Sequence, residues 1–113
     1  MWLAINTTHY TGPEQNEGWA KRYKLKYPIL LDLDAKVARA YGAKTTPHMF
    51  VIDQEGVLRY HGAIDNNQFG DKSEETMVNY VVNAVEQITN KETVSPDYVK
   101  SWGCSVKAKA RKY

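Results

Sequence analysis

One residue in this sequence could act as a thiol nucleophile, the single cysteine Cys104. A reactive thiol needs a depressed pKa, which a helix N-terminus or a nearby cation supplies. Lys100 and Lys107 are the cations closest to it in the sequence. One cysteine cannot form an intramolecular disulfide or a zinc site built from several thiolates. Three roles therefore stay open for Cys104: a catalytic nucleophile, a thiol that resolves a disulfide with a partner, or a free thiol.

The three histidines do not predict a metal site; they are His9, His48 and His61. The Asp-Gln-Glu-Gly turn that ends at Gly56 predicts a hairpin. If Gly56 forms a bulge, Met49 faces His61, and this register places His48 and His61 on opposite faces of the sheet. No cysteine or carboxylate lies at ligand spacing and no Gly-rich phosphate loop occurs, so we predict no metal and no cofactor.

Two acidic residues bracket a predicted strand–helix junction, Asp32 and Asp34. Their spacing is typical of capping and turn residues rather than of a catalytic carboxylate pair. Asp34 is the predicted N-cap of a short helix through Tyr41, and Gly42 suits the position that follows a helix.

Composition and charge limit the class of protein. The 113 residues are 42% hydrophobic and 25% charged, as in one small globular domain. No apolar run approaches the ~18 residues of a membrane helix, and no signal peptide is visible, which favours the cytoplasm. Residues 1–106 hold 11 basic and 13 acidic residues, a net charge of −2, and four basic residues follow: Lys107, Lys109, Arg111 and Lys112. We predict a solvated tail and no nucleic-acid or membrane partner.

The hydrophobic pattern predicts an α/β fold in the order β-α-β-α-β-β-α. The apolar runs at residues 1–5 and 27–31 are typical of strands buried on both faces. Ser73 is the predicted cap of a long helix that ends near Asn90. We expect one domain over residues 1–90 and an irregular extension with a basic tail over 91–113.

Four segments together resemble the second half of a thioredoxin-like redoxin, from the superfamily of alkyl hydroperoxide reductase/thiol-specific antioxidant proteins and thiol-disulfide reductases. They read YPILLD from Tyr27, ARAYG from Ala38, TPHMFVID from Thr46 and GVLRYHG from Gly56. The tail GCSVK from Gly103 is similar to one redoxin subgroup. The resemblance covers residues 2–90 closely and 91–107 loosely. It implies a three-layer α/β/α fold with a mixed sheet of about four strands and a C-terminal hairpin and helix.

The resemblance also implies a site. In thioredoxin-like proteins the proline that matches Pro47 is cis and faces the reactive cysteine, and its loop pairs with a bound peptide or thiol. Thr46, Pro47 and His48 are therefore the predicted substrate-binding residues, and Cys104 is the candidate catalytic residue. The family places its catalytic cysteine upstream of the strand that matches Trp2–Asn6, which this sequence does not include.

Two functions follow as expectations. By family, the chain is a thiol-disulfide oxidoreductase or a peroxiredoxin-like protein, inactive on its own because disulfide exchange normally needs a second thiol. Alternatively, it is a non-catalytic module that binds a peptide or protein at the Thr46–Pro47 loop and at an open sheet edge, on Trp2–Asn6 or on His48–Ile52. Expected partners are a thiol or disulfide protein and a second copy of the chain, through oligomerisation or strand pairing. Cys104 packed against Pro47 would contradict the prediction of inactivity.

Overall fold

The computed structural model describes residues 1–107. Its elements, in chain order, are β1 (Ala4–Asn6), α1 (Pro13–Arg22), β2 (Ile29–Leu31), α2 (Lys36–Tyr41), β3 (Thr45–Thr46), β4 (Met49–Ile52), β5 (Leu58–Gly62), α3 (Tyr80–Thr89), β6 (Tyr98–Val99) and β7 (Cys104–Ser105). The basic residues predicted beyond Lys107 lie outside the described part of the chain.

The described residues divide into two compact units. The first comprises Met1–Ala43 with Val106 and Lys107, and the second comprises Lys44–Ser105. In the first unit, β1 and β2 pair in parallel, and α1 connects them and packs on β2. Pro13 begins α1, where its missing N–H costs no hydrogen bond. This unit is a β-α-β arrangement followed by α2.

Asp32 rather than Asp34 caps α2. The buried Asp32 carboxylate accepts hydrogen bonds from the amides of Val37, at 3.0 Å, and Ala38, at 2.9 Å. These are N–H groups of the first helical turn, which have no partner within the helix. Asp34 instead accepts a bond from the Lys36 amide at 3.3 Å, so the prediction of Asp34 as the N-cap was wrong.

The second unit contains a hydrophobic core. A three-stranded sheet has the order β4-β5-β6, and α3 packs on β4 and β5. The buried members of this core are Val51, Tyr60, Val81, Ala84 and Val94. Burial raises the pKa of Tyr60 to about 12, so its hydroxyl stays protonated and donates a hydrogen bond to the Ala63 carbonyl.

A bulge in the β4–β5 hairpin changes the predicted register. Ile52 pairs with Leu58, as the predicted turn requires, but Val51 pairs with Tyr60, so Arg59 is left over. Beyond this point the register has moved by one residue, and His61 lies opposite Phe50 instead of Met49. A shift of one residue exchanges the faces of a strand. The prediction that His48 and His61 face opposite ways was therefore wrong.

Two further predictions need correction. Ser73 caps only a single turn, in which Thr76 and Met77 donate to its carbonyl, and α3 begins at Tyr80 after the N-cap Asn79. The strands β1 and β2 are not buried on both faces, since Ile5, Leu30 and Leu31 are 41%, 45% and 39% exposed.

The predicted α/β fold class is confirmed, and all seven predicted elements occur in the predicted order. Within residues 1–107 the strands form three small sheets, of which β3–β7 is the third. None of the helices in this range is long and apolar enough to cross a membrane.

Candidate functional site

The loop between Lys44 and His48 is closed by two hydrogen bonds from its own residues. The Thr45 hydroxyl donates to the Pro47 carbonyl at 2.8 Å, and the Lys44 amide donates to Nδ1 of His48 at 3.2 Å. The Thr46–Pro47 peptide bond is cis. The predicted binding residues Thr46, Pro47 and His48 thus belong to one tight turn that leads directly into β4.

The segment that carries Cys104 lies against this loop. The short strand β7 pairs antiparallel with β3, and Cys104 is the partner of Thr46. Residues directly opposite each other in an antiparallel pair place their side chains on the same face, with Cβ atoms about 5 Å apart. The Cys104 side chain, which is exposed, therefore lies next to Thr46 at the start of the proline turn.

Two neighbours of Cys104 fix this position. Gly103 has φ +127°, and a Cβ there would overlap the Thr46 carbonyl oxygen and lie 3.3 Å from Cδ of Pro47. Only glycine permits so close an approach of the two backbones. The indole N–H of Trp102 donates to the Asp65 carbonyl at 2.9 Å, which attaches the segment to the same unit.

His48 and His61 form a stacked, hydrogen-bonded pair beside the loop. Nε2 of His48 and Nδ1 of His61 are 3.2 Å apart, and the ring centroids are 5.5 Å apart with an interplanar angle of 16°. Phe50 stacks on both rings, and the ring centroid of Tyr98 lies 4.7 Å from that of His61. Partial burial lowers the pKa of His48 below its ordinary value, and the charges of His61 and Lys44 lower it further.

The described residues hold no cluster of three or more His, Cys, Asp or Glu side chains that could bind a metal ion. The histidine pair is also occupied by its own hydrogen bonds. Because the Lys44 amide uses the lone pair on Nδ1 of His48, the proton of the neutral ring is on Nε2, the atom that would have to bind a metal.

The structure brings together all four residues that the sequence singled out, Cys104 with the turn of Thr46, Pro47 and His48. Sequence reasoning missed three residues that position them: Lys44, His61 and Gly103. A Gly directly before the only cysteine was the available signal for Gly103. Nothing in the sequence indicated the Lys44–His48–His61 chain, since it depends on the bulge at Arg59.

Comparison with known proteins is consistent with this geometry. The model of the AhpC/TSA family matches residues 3–61, which include β1 to β4 and most of β5. The chain belongs to the AhpC/TSA family. The match ends before Cys104, so membership rests on residues 3–61, which include the proline turn, and not on the cysteine.

Two solved structures are similar to the chain. One is a hypothetical protein from Sinorhizobium meliloti, with 31% identity and a TM-score of 0.84. The alignment covers 96% of this chain and 62% of that protein. The other is an uncharacterized conserved protein from Geobacillus kaustophilus, with 26% identity and a TM-score of 0.82, over 60% of its length and 97% of this chain. The chain thus spans less than two thirds of either. No curated protein matched it.

Proposed function

We propose that this redoxin domain acts on a thiol or disulfide of a protein or peptide partner. The partner binds as an extended segment at the turn of Thr46, Pro47 and His48, and its sulfur reacts with Cys104. The pairing of Cys104 with Thr46 carries the proposal, because it puts the only cysteine of the chain beside the turn that the family resemblance implies for binding.

The reaction is a single thiol–disulfide exchange. The Cys104 thiolate attacks one sulfur of a partner disulfide, a new S–S bond forms between the two proteins, and the second partner sulfur leaves as a thiolate. No net oxidation occurs in this step, because one disulfide replaces another. Release of the chain requires attack by a second thiol, from the partner or from a small reductant. Since the chain has one cysteine, we expect one mixed disulfide per molecule and no dithiol turnover.

A trapping experiment tests the proposal. The reduced chain is mixed with an extended peptide that carries an activated disulfide, and the product is measured by intact-mass spectrometry. We expect one adduct per chain, located at Cys104, and none in Cys104→Ser. Absence of the adduct in the wild-type chain would overturn the proposal.

An insulin-reduction assay with dithiothreitol tests the absence of turnover. The wild-type rate is expected to match that of Cys104→Ala. Turnover well above this control would show that the chain reduces disulfides by itself.

A second candidate is a binding module that performs no chemistry. Half-exposed apolar side chains on and next to β1 and β2 favour it, namely Trp2, Leu3, Ile5, Leu30 and Leu31. Within residues 1–107, β1 pairs only with β2, and such edges add strands from partners, including a second copy of the chain. Equal affinity of the wild type and Cys104→Ser for the same peptide without a sulfur atom, with no adduct in the trapping experiment, would favour this candidate.

A further inference from the structure

The hydrogen bonds around His48 determine where its proton lies. The Lys44 amide can only donate, so Nδ1 of His48 must accept and carries no proton. The neutral ring then has its proton on Nε2, and Nε2 donates to Nδ1 of His61 across 3.2 Å. Neutral His61 consequently carries its proton on Nε2. Each ring has a defined tautomer, and the two hydrogen bonds run in one direction, from Lys44 through His48 to His61.

When either ring takes up a proton, this series of hydrogen bonds is broken. A proton on Nδ1 of His48 replaces the lone pair that accepts from Lys44, and a proton on Nδ1 of His61 sets two donors against each other. A positive charge on His48 is also disfavoured by its partial burial, by a positive charge on His61 and by the Lys44 ammonium. The closed arrangement thus requires two neutral histidines.

Within residues 1–107, no carboxylate is hydrogen-bonded to the ring of His48 or His61. Lys44 from the loop is itself cationic, and Tyr98 from β6 contributes an aromatic ring whose centroid lies 4.7 Å from that of His61. On β5, the guanidinium of Arg59 is paired with Asp53 at 2.6 Å, so this carboxylate already has a cationic partner. Asp97, which precedes β6, accepts a hydrogen bond from the His61 amide through its backbone carbonyl at 3.1 Å, and Cys104 on β7 lies opposite Thr46.

We propose that His48 and His61 form a proton-sensitive clamp on the proline turn. While both rings are neutral, the clamp holds Lys44 to His48 and fixes Thr45, Thr46 and Pro47 between them. Protonation in mildly acidic solution opens it by breaking the bond between the Lys44 amide and His48, so that only the Thr45 hydroxyl bond still closes the turn. The consequence for partner capture rests on the proposed function, because the same turn positions Thr46 opposite Cys104.

The direction of the pH effect follows from the lowered pKa of His48. Its ordinary pKa is 6.5, and the folded protein holds it below that value. The unfolded chain therefore binds the proton first as the pH falls. The contribution of the clamp to stability is complete above about pH 6.5 and is lost as the pH falls through the lower pKa of the folded state.

Nitrogen-detected NMR on the free protein tests the clamp without any partner. We expect a neutral His48 with the proton on Nε2 and a His48 pKa below 6.5. The protection factor of the Lys44 amide should fall about fivefold between roughly pH 7.5 and 5, because the amide loses one hydrogen bond. A proton on Nδ1 of neutral His48, or Lys44 protection independent of pH, would overturn the proposal.

Two variants separate the clamp from general acid effects. His61→Phe retains an aromatic ring but removes the acceptor of the His48 Nε2 proton, so the His48 ring is held less firmly and Lys44 protection at neutral pH should be lower than in the wild type. His9→Phe removes the third histidine, which lies in the other unit. It should leave the pH dependence of Lys44 amide protection unchanged. Should His61→Phe not fold, the wild-type tautomer and titration decide alone.

Capture of the activated peptide by Cys104 is measured in parallel. If the protection factor of the Lys44 amide depends on pH but no adduct forms, only the proposed function is contradicted. If the adduct forms normally but the protection factor of the Lys44 amide does not change with pH, only the clamp is contradicted.

Discussion

Single side chains fix the two turns that precede α2 and β4. The Asp32 carboxylate replaces missing backbone partners at the start of α2, and the His48 ring does so for the Lys44 amide. In both cases a polar side chain accepts from an N–H group that the local backbone leaves unpaired. The conformation of each turn therefore depends on one residue.

Asp32→Ala should lower the free energy of unfolding by about 1–2 kcal/mol, because two amides of α2 lose their acceptor. Urea denaturation followed by circular dichroism measures the change. The control is Asp34→Ala, which removes a single, longer bond and should have a smaller effect. An equal loss in the two variants would contradict the assignment of Asp32 as the cap.

At the scale of elements, the two-residue strand β7 decides where the thiol lies. Its position depends on Gly103, which passes directly beside the Thr46 carbonyl. A similar approach occurs at Gly62, where a Cβ would overlap the Val99 carbonyl oxygen between β5 and β6. Both contacts join segments that are distant in the sequence, and both need a residue without a side chain.

Gly103→Ala should displace β7 from β3 and slow the reaction of Cys104 with the activated peptide. Gly70→Ala is a matched control, because Gly70 also has a positive φ, of +67°, but has open space around its Cβ position. Both variants carry a backbone cost of about 1–3 kcal/mol for a side chain at positive φ, and only Gly103→Ala adds the overlap. Hydrogen exchange at Thr46 and Cys104 checks the displacement. Similar exchange in the two variants would mean that Gly103 does not hold β7.

How far the sequence predicts these elements depends on the range of the interactions. Apolar runs and turn residues gave the order of strands and helices, since they act locally. The bulge at Arg59 was not predictable, because the Asp53–Arg59 ion pair and the β4–β5 register form together. This single residue determines that His48 meets His61. The docking of β7 was likewise missed, because it depends on backbone contact between residues 46 and 103.

At the scale of the molecule, the two units differ in how well they bury apolar side chains. The second unit has a core around Tyr60, which is fully buried. In the first unit, the buried residues are small or polar, namely Asn16, Asp32, Ala35 and Ala38, while the apolar side chains of β1 and β2 stay half-exposed. Apolar surface of this kind favours association with a partner.

We therefore expect the chain to self-associate, and Leu30→Lys to weaken this association by placing a charge on the exposed apolar strand β2. Sedimentation velocity over a range of concentrations measures it. Val57→Lys is the control, because Val57 is similarly exposed, at 43% against 45%, but lies in the hairpin turn of the other unit. A monomer mass that is independent of concentration, with a cooperative melt, would contradict self-association.

The proposed role of the proline turn, to direct a partner to Cys104, can be measured by the rate of mixed-disulfide formation. The rate with an extended peptide carrying an activated disulfide is divided by the rate with a small activated disulfide, for the folded chain and for a synthetic peptide of residues 100–107. We expect a ratio about tenfold higher for the folded chain, because the turn holds the peptide next to the thiol. Equal ratios would show that Cys104 reacts as an ordinary exposed thiol and would contradict the account.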